Sequence, residues 1–171
     1  MRSSVDKSGI GIPELIFFLI GVLLLLALAS IANGQSEISG SRTVKAHTQP
    51  QQPIYQEYRG VRVGMTAADV RAKLGEPAMK SDEQDFYVVS ATETAQIAYN
   101  AAKTVTIISI DYAGGVGAPD YKSVLGEGVL LERPDGSLFR MVIYDSERLW
   151  VSYNKTAAAV PVVTITIGMK K

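Results

Sequence analysis

The sequence predicts an α+β domain, an antiparallel sheet with helices on one face, made of two tandem helix-plus-hairpin repeats and preceded by an N-terminal transmembrane or signal helix. Three observations support this fold class. Apolar residues concentrate before residue 32, short helix-like and strand-like patterns fill residues 59–171, and these patterns occur twice in the same order. We therefore divide the chain into a membrane segment at 1–32, a flexible linker at 33–58 and a folded domain at 59–171.

The membrane segment is long and apolar. Residues 15–32 carry no charge, and Arg2 and Lys7 precede them. At about 1.5 Å per residue, such a helix nearly spans the hydrocarbon core of a bilayer. The segment fits either a cleaved signal peptide or an uncleaved anchor with its N-terminus in the cytoplasm. Both interpretations place the folded domain outside the cytoplasm, with membrane contact through residues 10–32.

An alternative interpretation concerns the residues just before this helix. Their pattern resembles the start of type IV prepilins, which are cut after a glycine and carry a glutamate five residues further on. Gly9 and Glu14 have this spacing. In pilins the apolar helix continues into the soluble domain, whereas here Gly34, Gly40 and Pro50 would interrupt it. A pilin-like or pseudopilin structural subunit is therefore the alternative function.

The linker is polar and has no apolar periodicity. Residues 33–58 are rich in Gln, Ser, Thr and Pro. Such a segment buries too little apolar surface to offset its ordering entropy, so we expect a flexible tether between membrane and domain.

Composition limits the chemistry that the chain can perform. It has 17 Lys+Arg and 17 Asp+Glu, no cysteine, and a single histidine, His47, which lies in the linker. The balanced charge argues against a nucleic-acid partner. Without thiols, or histidines in the domain, we expect no thiol catalysis, no histidine relay and no zinc site. We predict a non-enzymatic protein with no catalytic residues, metal, cofactor or small-molecule substrate.

The folded domain contains an internal repeat. Three pairs of segments match in the same order, at offsets of 51, 54 and 58 residues: 69–76 with 120–127, 97–100 with 151–154, and 105–107 with 163–165. The first pair is identical at four of eight positions. We infer a duplicated unit, with repeats at about 59–112 and 118–171.

Each repeat is expected to begin with a helix. In the first, Thr66 is the expected N-cap, Asp69 completes a capping pair and Gly75 ends the helix. The second helix is expected at 120–125. Runs of β-branched and aromatic residues predict seven strands: 85–90, 95–100, 103–112, 128–132, 137–144, 149–154 and 162–168. The acidic run at 82–85 is interpreted as a solvated turn.

Residues 61–77 read VRVGMTAADVRAKLGEP and resemble the opening motif of the SmpA/OmlA (BamE-like) family. In that family a short strand leads into Gly-Met-Thr, here residues 64–66, then a helix with a central valine, here Val70, then Leu-Gly-x-Pro and a small antiparallel sheet. The resemblance implies a small periplasmic domain that is tied to the outer membrane and helps to assemble β-barrel proteins. Two such units side by side are similar to the β-lactamase-inhibitory-protein fold, a protein-binding scaffold. Unlike BamE-type proteins, this chain has no cysteine to lipidate.

The expected binding surface comes from alternation along the strands. In 149–154, if Val151 and Tyr153 face the helices, Trp150 and Ser152 face away. In 137–144, we expect three apolar side chains to face inward: Phe139, Met141 and Ile143.

The same alternation then turns Arg140, Val142 and Tyr144 outward. Trp, Tyr and Arg together are typical of protein-binding surfaces. The predicted binding residues are Trp150, Tyr144, Arg140 and Ser152, and the predicted partner is a protein of the cell envelope.

Overall fold

A computed structural model describes residues 52–171. They form two helices and eight strands: α1 Ala67–Leu74, β1 Met79–Lys80, β2 Gln84–Val88, β3 Glu93–Tyr99, β4 Val105–Ala113, α2 Tyr121–Leu125, β5 Leu131–Glu132, β6 Leu138–Tyr144, β7 Leu149–Lys155 and β8 Val162–Met169. The predicted membrane segment, the prepilin-type start and the linker up to residue 51 lie outside the described residues. Neither of the two helices described has the length and apolarity that crossing a membrane requires.

All eight strands join one antiparallel sheet, as the sequence predicts. Their order is β1-β2-β3-β4-β8-β7-β6-β5. Helix α1 precedes β1–β4 and helix α2 precedes β5–β8, so the order is symmetrical about the central β4–β8 pair. The sequence analysis missed β1, an exposed edge strand of only two residues, and predicted β5 three residues too long.

The register of the four central strands places one apolar residue of each in a single row. Ile108 of β4 and Ile167 of β8 lie opposite each other, flanked by Ile97 and Val151. The row Ile97–Ile108–Ile167–Val151 therefore crosses the four central strands. The repeat offsets inferred from the sequence stay a prediction. A β-bulge after Ala98 shifts the register between β3 and β4, whereas the β7–β8 register is regular.

Local sequence explains where the helices begin and end. Thr66 Oγ1 accepts a hydrogen bond from the Asp69 N–H at 3.2 Å and donates to the Asp69 carboxylate at 2.8 Å. Gly75 ends α1 with φ 83°, a conformation that glycine adopts without steric cost. Helix α2 is capped by Asp120 and ends at Gly126 with φ 71°.

The hydrophobic core lies between the helices and one face of the sheet, which we call the helix face. A row of four side chains with no exposed surface crosses the middle of this face: Ile97, Ile108, Ile167 and Val151. Val70 of α1 and the pair Val124 and Leu125 of α2 belong to the same core. Burying these apolar side chains supplies the main driving force for folding.

The folded domain also includes residues that the sequence analysis assigned to the linker. Tyr58 is only 3% exposed and belongs to the core. Its hydroxyl donates a hydrogen bond to the Glu93 carboxylate at 2.6 Å. Arg59 donates one hydrogen bond to the Tyr58 hydroxyl and another to the Glu93 carboxylate. Tyr58 buries its ring while its hydroxyl keeps a hydrogen-bond partner. A domain boundary drawn from polar composition does not reveal such a residue.

A buried ion pair holds α1 on the sheet. The Asp85 carboxylate, with no exposed surface, accepts hydrogen bonds from Arg71 Nε at 2.8 Å and Nη2 at 3.0 Å, and from the Tyr99 hydroxyl at 2.8 Å. Burial raises the pKa of Tyr99, and raises the pKa of the neighbouring Tyr87 to about 12. The interpretation of residues 82–85 as a solvated turn is wrong for Asp85, because β2 has begun and turns this side chain inward.

The second half holds its helix by different contacts. The position that Asp85 occupies in the first half is taken by Val142 in β6. Arg140 instead donates to the carbonyl oxygens of Gly126 at 3.0 Å and Glu127 at 2.7 Å, just after α2. Charged hydrogen bonds to backbone carbonyls at a helix end satisfy acceptors that the helix leaves free.

Replacing Asp85 tests the role of the buried ion pair. Asp85→Ala leaves the Arg71 guanidinium and the Tyr99 hydroxyl without their acceptor, so we expect a loss of about 3 kcal/mol in the free energy of unfolding. Urea unfolding of the full chain, followed by circular dichroism, measures it. Asp82→Ala is the matched control, because Asp82 forms only an exposed pair with Lys103. Equal unfolding midpoints for the two variants would contradict the structural role of Asp85.

Candidate protein-binding face

The strand residues that point away from the helices form a second face, which no helix or strand of residues 52–171 covers. We call it the open face. It consists of the even-numbered residues of β2, β3, β7 and β8, the odd-numbered residues of β1, β5 and β6, and the odd-numbered residues of β4 from Ile107 onward.

The structure separates the four predicted binding residues into two pairs. Trp150 and Ser152 lie on the open face, as expected from the inward position of Val151. Ser152 is only 8% exposed, however, so the prediction that it lines a binding surface is wrong. Arg140 and Tyr144 lie on the helix face, because they pair with the inward-facing Tyr153 and Leu149. Tyr144 is 2% exposed, so the prediction that it lines a binding surface is wrong.

The inward assignment of Phe139, Met141 and Ile143 is wrong for the same reason. In the β6–β7 hairpin, Ile143 lies opposite Trp150 and Met141 lies opposite Ser152. Directly opposed residues share a face, and a one-residue change of register exchanges the two faces. The turn of residues 145–148 determines this register, and the sequence analysis treated the two strands separately.

Trp150 lies flat against the neighbouring strand. A Cβ atom added to Gly168 of β8 would lie 2.3 Å from the indole ring. Gly168 is opposite Trp150 in the ladder, so the absence of a side chain there makes room for the ring. Trp150 is therefore half-buried by its own sheet and presents its remaining surface to solvent.

The open face is most apolar at its β5–β7 end. Leu131 is 67% exposed, Ile143 51% and Met141 43%. Phe139 and Trp150 complete the group, which we call the apolar patch. Exposed large apolar side chains are ordinary when scattered, whereas a contiguous group on an uncovered sheet indicates an interaction surface.

The centre of the open face is polar. Ser109 and Thr166 are within hydrogen-bond distance at 3.4 Å, and Thr164 Oγ1 donates to the Asp111 carboxylate at 2.6 Å. Burial raises the pKa of Asp111, and the Thr164 hydrogen bond opposes that rise. In the same row, Asn154 Oδ1 is buried and has no hydrogen-bond partner among the described residues.

This arrangement is suited to binding. Within residues 52–171, no three His, Cys, Asp or Glu side chains are placed to hold a metal ion. The open face combines exposed apolar area with a polar centre in which Ser109, Ser152 and Thr164 are themselves buried. Apolar area beside polar groups is the usual composition of a protein interface. Sequence reasoning missed Asp111 and Asn154 as open-face residues because it did not follow β4 across to β7. Their positions become evident only when the ladder is known.

Substituting Gly168 tests whether the Trp150 indole ring packs against this residue. Gly168→Ala places a methyl group where the ring lies, so we expect Trp150 to move into solvent and its fluorescence emission to shift to the red. Trp150 is the only tryptophan, which makes the signal specific. Thr166→Val, two residues along the same strand and on the same face, is the control and should leave the emission unchanged. An unshifted spectrum for Gly168→Ala would mean that the ring does not rest there.

The resemblance of residues 61–77 to the BamE-like motif stays a prediction. No protein-family model, curated protein or solved structure shows a significant match to this chain. Functional inference therefore rests on the open face and on the sequence pattern.

Proposed function

We propose that this chain is a non-enzymatic protein of the cell envelope, membrane-tethered or periplasmic, whose open face docks a protein partner. The observation that carries the proposal is the apolar patch, a group of five large apolar side chains, three of them exposed, on a sheet face that no other described element covers. The face is part of a rigid ladder, so a partner would meet a surface that needs little ordering on binding.

Three features of the patch support docking. It combines an aromatic anchor, Trp150, with the adaptable side chain of Met141 and the branched side chain of Ile143. Polar groups of the sheet centre border it on one side. Removing the exposed apolar area from water would favour association at about 25 cal/mol per Å², before the entropic cost of association is subtracted.

The envelope location rests on the sequence. The uncharged stretch before residue 32 and the polar residues after it are typical of a domain carried beyond a membrane on a tether. We also propose that the two halves arose as a duplicated unit, consistent with the symmetrical strand order and with the paired helix ends at Gly75 and Gly126. Such tandem units resemble a protein-binding scaffold, and a role in envelope assembly would follow from that resemblance.

Site-specific photo-crosslinking tests the docking face. A photoreactive amino acid in place of Met141, in the full chain in the cells that produce it, should give a discrete adduct that Trp150→Ala abolishes. The same amino acid in place of Ala72, exposed on α1, is the control and should give none. Circular dichroism of Trp150→Ala checks that it folds. Adducts of equal yield at both positions, or none at Met141, would refute docking on the open face.

The mature N-terminus tests the envelope assignment. Mass spectrometry of the purified protein should find either an intact start at Met1 or a start just after Ala29 or Ala32. These outcomes correspond to an anchor and to a secreted domain. A start at Ile10 would instead support the pilin-like subunit, because prepilins are cut after the glycine that here is Gly9.

A further inference from the structure

The open face carries one ionisable side chain, that of Asp111. Every other open-face residue in residues 52–171 is apolar or a neutral Ser, Thr, Asn or Gln. The five strand tyrosines and the lysines of β1 and β7 all lie on the helix face. Asp111 is therefore the one ionisable strand residue of this face and lies near its middle. The Arg133 guanidinium, which follows β5, lies over the Phe139 ring at the β5–β6 edge, 4.1 Å from the ring centroid.

No cation of the described chain compensates the charge of Asp111. Thr94 and Thr164 lie opposite Asp111 on its two neighbouring strands, and Asn154 lies beyond Thr164. No ion pair among the described residues includes Asp111. Its one side-chain hydrogen bond comes from Thr164. By contrast, the buried Asp85 on the other face has a bidentate arginine.

A second acceptor in the same row also lacks a donor. Asn154 Oδ1 is buried and unpaired within the described residues. Partly desolvated acceptors without donors destabilise a folded protein, and a donor supplied from outside removes that penalty. The backbone positions of Asp111 and Asn154 lie about 10 Å apart, two strand spacings, on either side of Thr164.

We propose that the open face recognises a protein segment that places a lysine or arginine side chain on Asp111, while apolar residues of the same segment contact the apolar patch. This inference rests on the proposed function and names the chemistry of the partner. Asp111 and Phe139 lie in one row of the sheet, three strand spacings apart. That separation is about 14 Å, which an extended segment of about five residues spans.

The charge arrangement favours a basic side chain over other ligands. A bound metal ion usually takes several ligands, and the described residues contain no group of three His, Cys, Asp or Glu side chains that could hold one. An ammonium or guanidinium group needs a single carboxylate and donates several hydrogen bonds, so it can also satisfy nearby acceptors. Among the described strand residues of the face, Asp111 is the one negative charge at which a basic side chain of a partner can be selected.

A peptide selection tests the proposal directly. Phage-displayed random dodecapeptides are selected on the full-length chain, and the enriched peptides are synthesised and titrated against it, with Trp150 fluorescence as the signal. We expect them to carry Lys or Arg beside apolar residues. We expect Asp111→Asn to weaken binding roughly 30-fold or more, the usual effect of removing one partner of a desolvated charge pair. Glu76→Gln, an equal change of charge away from the open face, is the control and should have no effect.

Protein stability gives an independent readout. The folded-state pKa of Asp111 is raised, so ionising it at neutral pH opposes folding. Asp111→Asn should therefore raise the urea midpoint at pH 7. The difference should shrink as the pH falls through the raised pKa towards the ordinary value, since Asp111 is then protonated in the folded protein. A lowered midpoint at pH 7 would make Asp111 a structural residue of the β4–β8 ladder and overturn the proposal.

The remaining outcomes separate this inference from the proposed function. Peptides that lack basic residues, or that bind Asp111→Asn as tightly as the parent, would overturn the role of Asp111. The docking face would survive that result if Trp150→Ala still weakens binding. A selection that yields no binders, or binders indifferent to Trp150→Ala, would overturn both.

Discussion

The antiparallel ladder between β4 and β8 is the constraint on which the rest of the structure depends. It joins the two halves of the sheet through seven consecutive residue pairs, from Ile107 opposite Gly168 to Ala113 opposite Val162. Because side chains alternate between faces, this register decides at once which residues enter the core and which remain outside. Ile108 and Ile110 meet Ile167 and Ile165 under the helices, while the residues between them form the polar centre of the open face. A shift of one residue would exchange the two sets.

The two halves share a topology and hold their helices by different chemistry. In the first half the ion pair of Arg71 and Asp85 crosses from helix to sheet, and the Tyr99 hydroxyl donates a further hydrogen bond to Asp85. In the second, an apolar Val142 occupies the corresponding place, and Arg140 holds the chain after α2 through carbonyl oxygens. A buried ion pair is sensitive to the loss of either partner, whereas an apolar position is sensitive mainly to volume. Similar topology therefore does not imply similar responses to mutation.

The two faces also differ in how well their polar groups are satisfied. On the helix face, buried Asp85 accepts three hydrogen bonds within the normal distance range, two from Arg71 and one from Tyr99. On the open face, Asp111 has one, Asn154 Oδ1 has none among the described residues, and large apolar side chains remain exposed beside them. Polar groups without partners and exposed apolar groups both lower the stability of the free protein. Both kinds of group occur on the sheet face that no helix or strand of residues 52–171 covers, and this coincidence is what supports the proposal of a docking surface.

Sequence alone determined the local features of this protein: the capped start of α1 at Thr66, its end at Gly75, the antiparallel sheet and the positions of most strands. These depend on neighbouring residues, through capping, backbone conformation and β-propensity. Sequence also placed Trp150 correctly, since one strand suffices for that inference. The tertiary structure decided the rest. It places Arg140 and Tyr144 on the helix face, whereas the sequence pattern predicted that they point outward. It also places Asp111, Thr164 and Asn154 in one row. Faces and rows depend on the register between strands, and turns and bulges fix that register over distances that no local pattern spans.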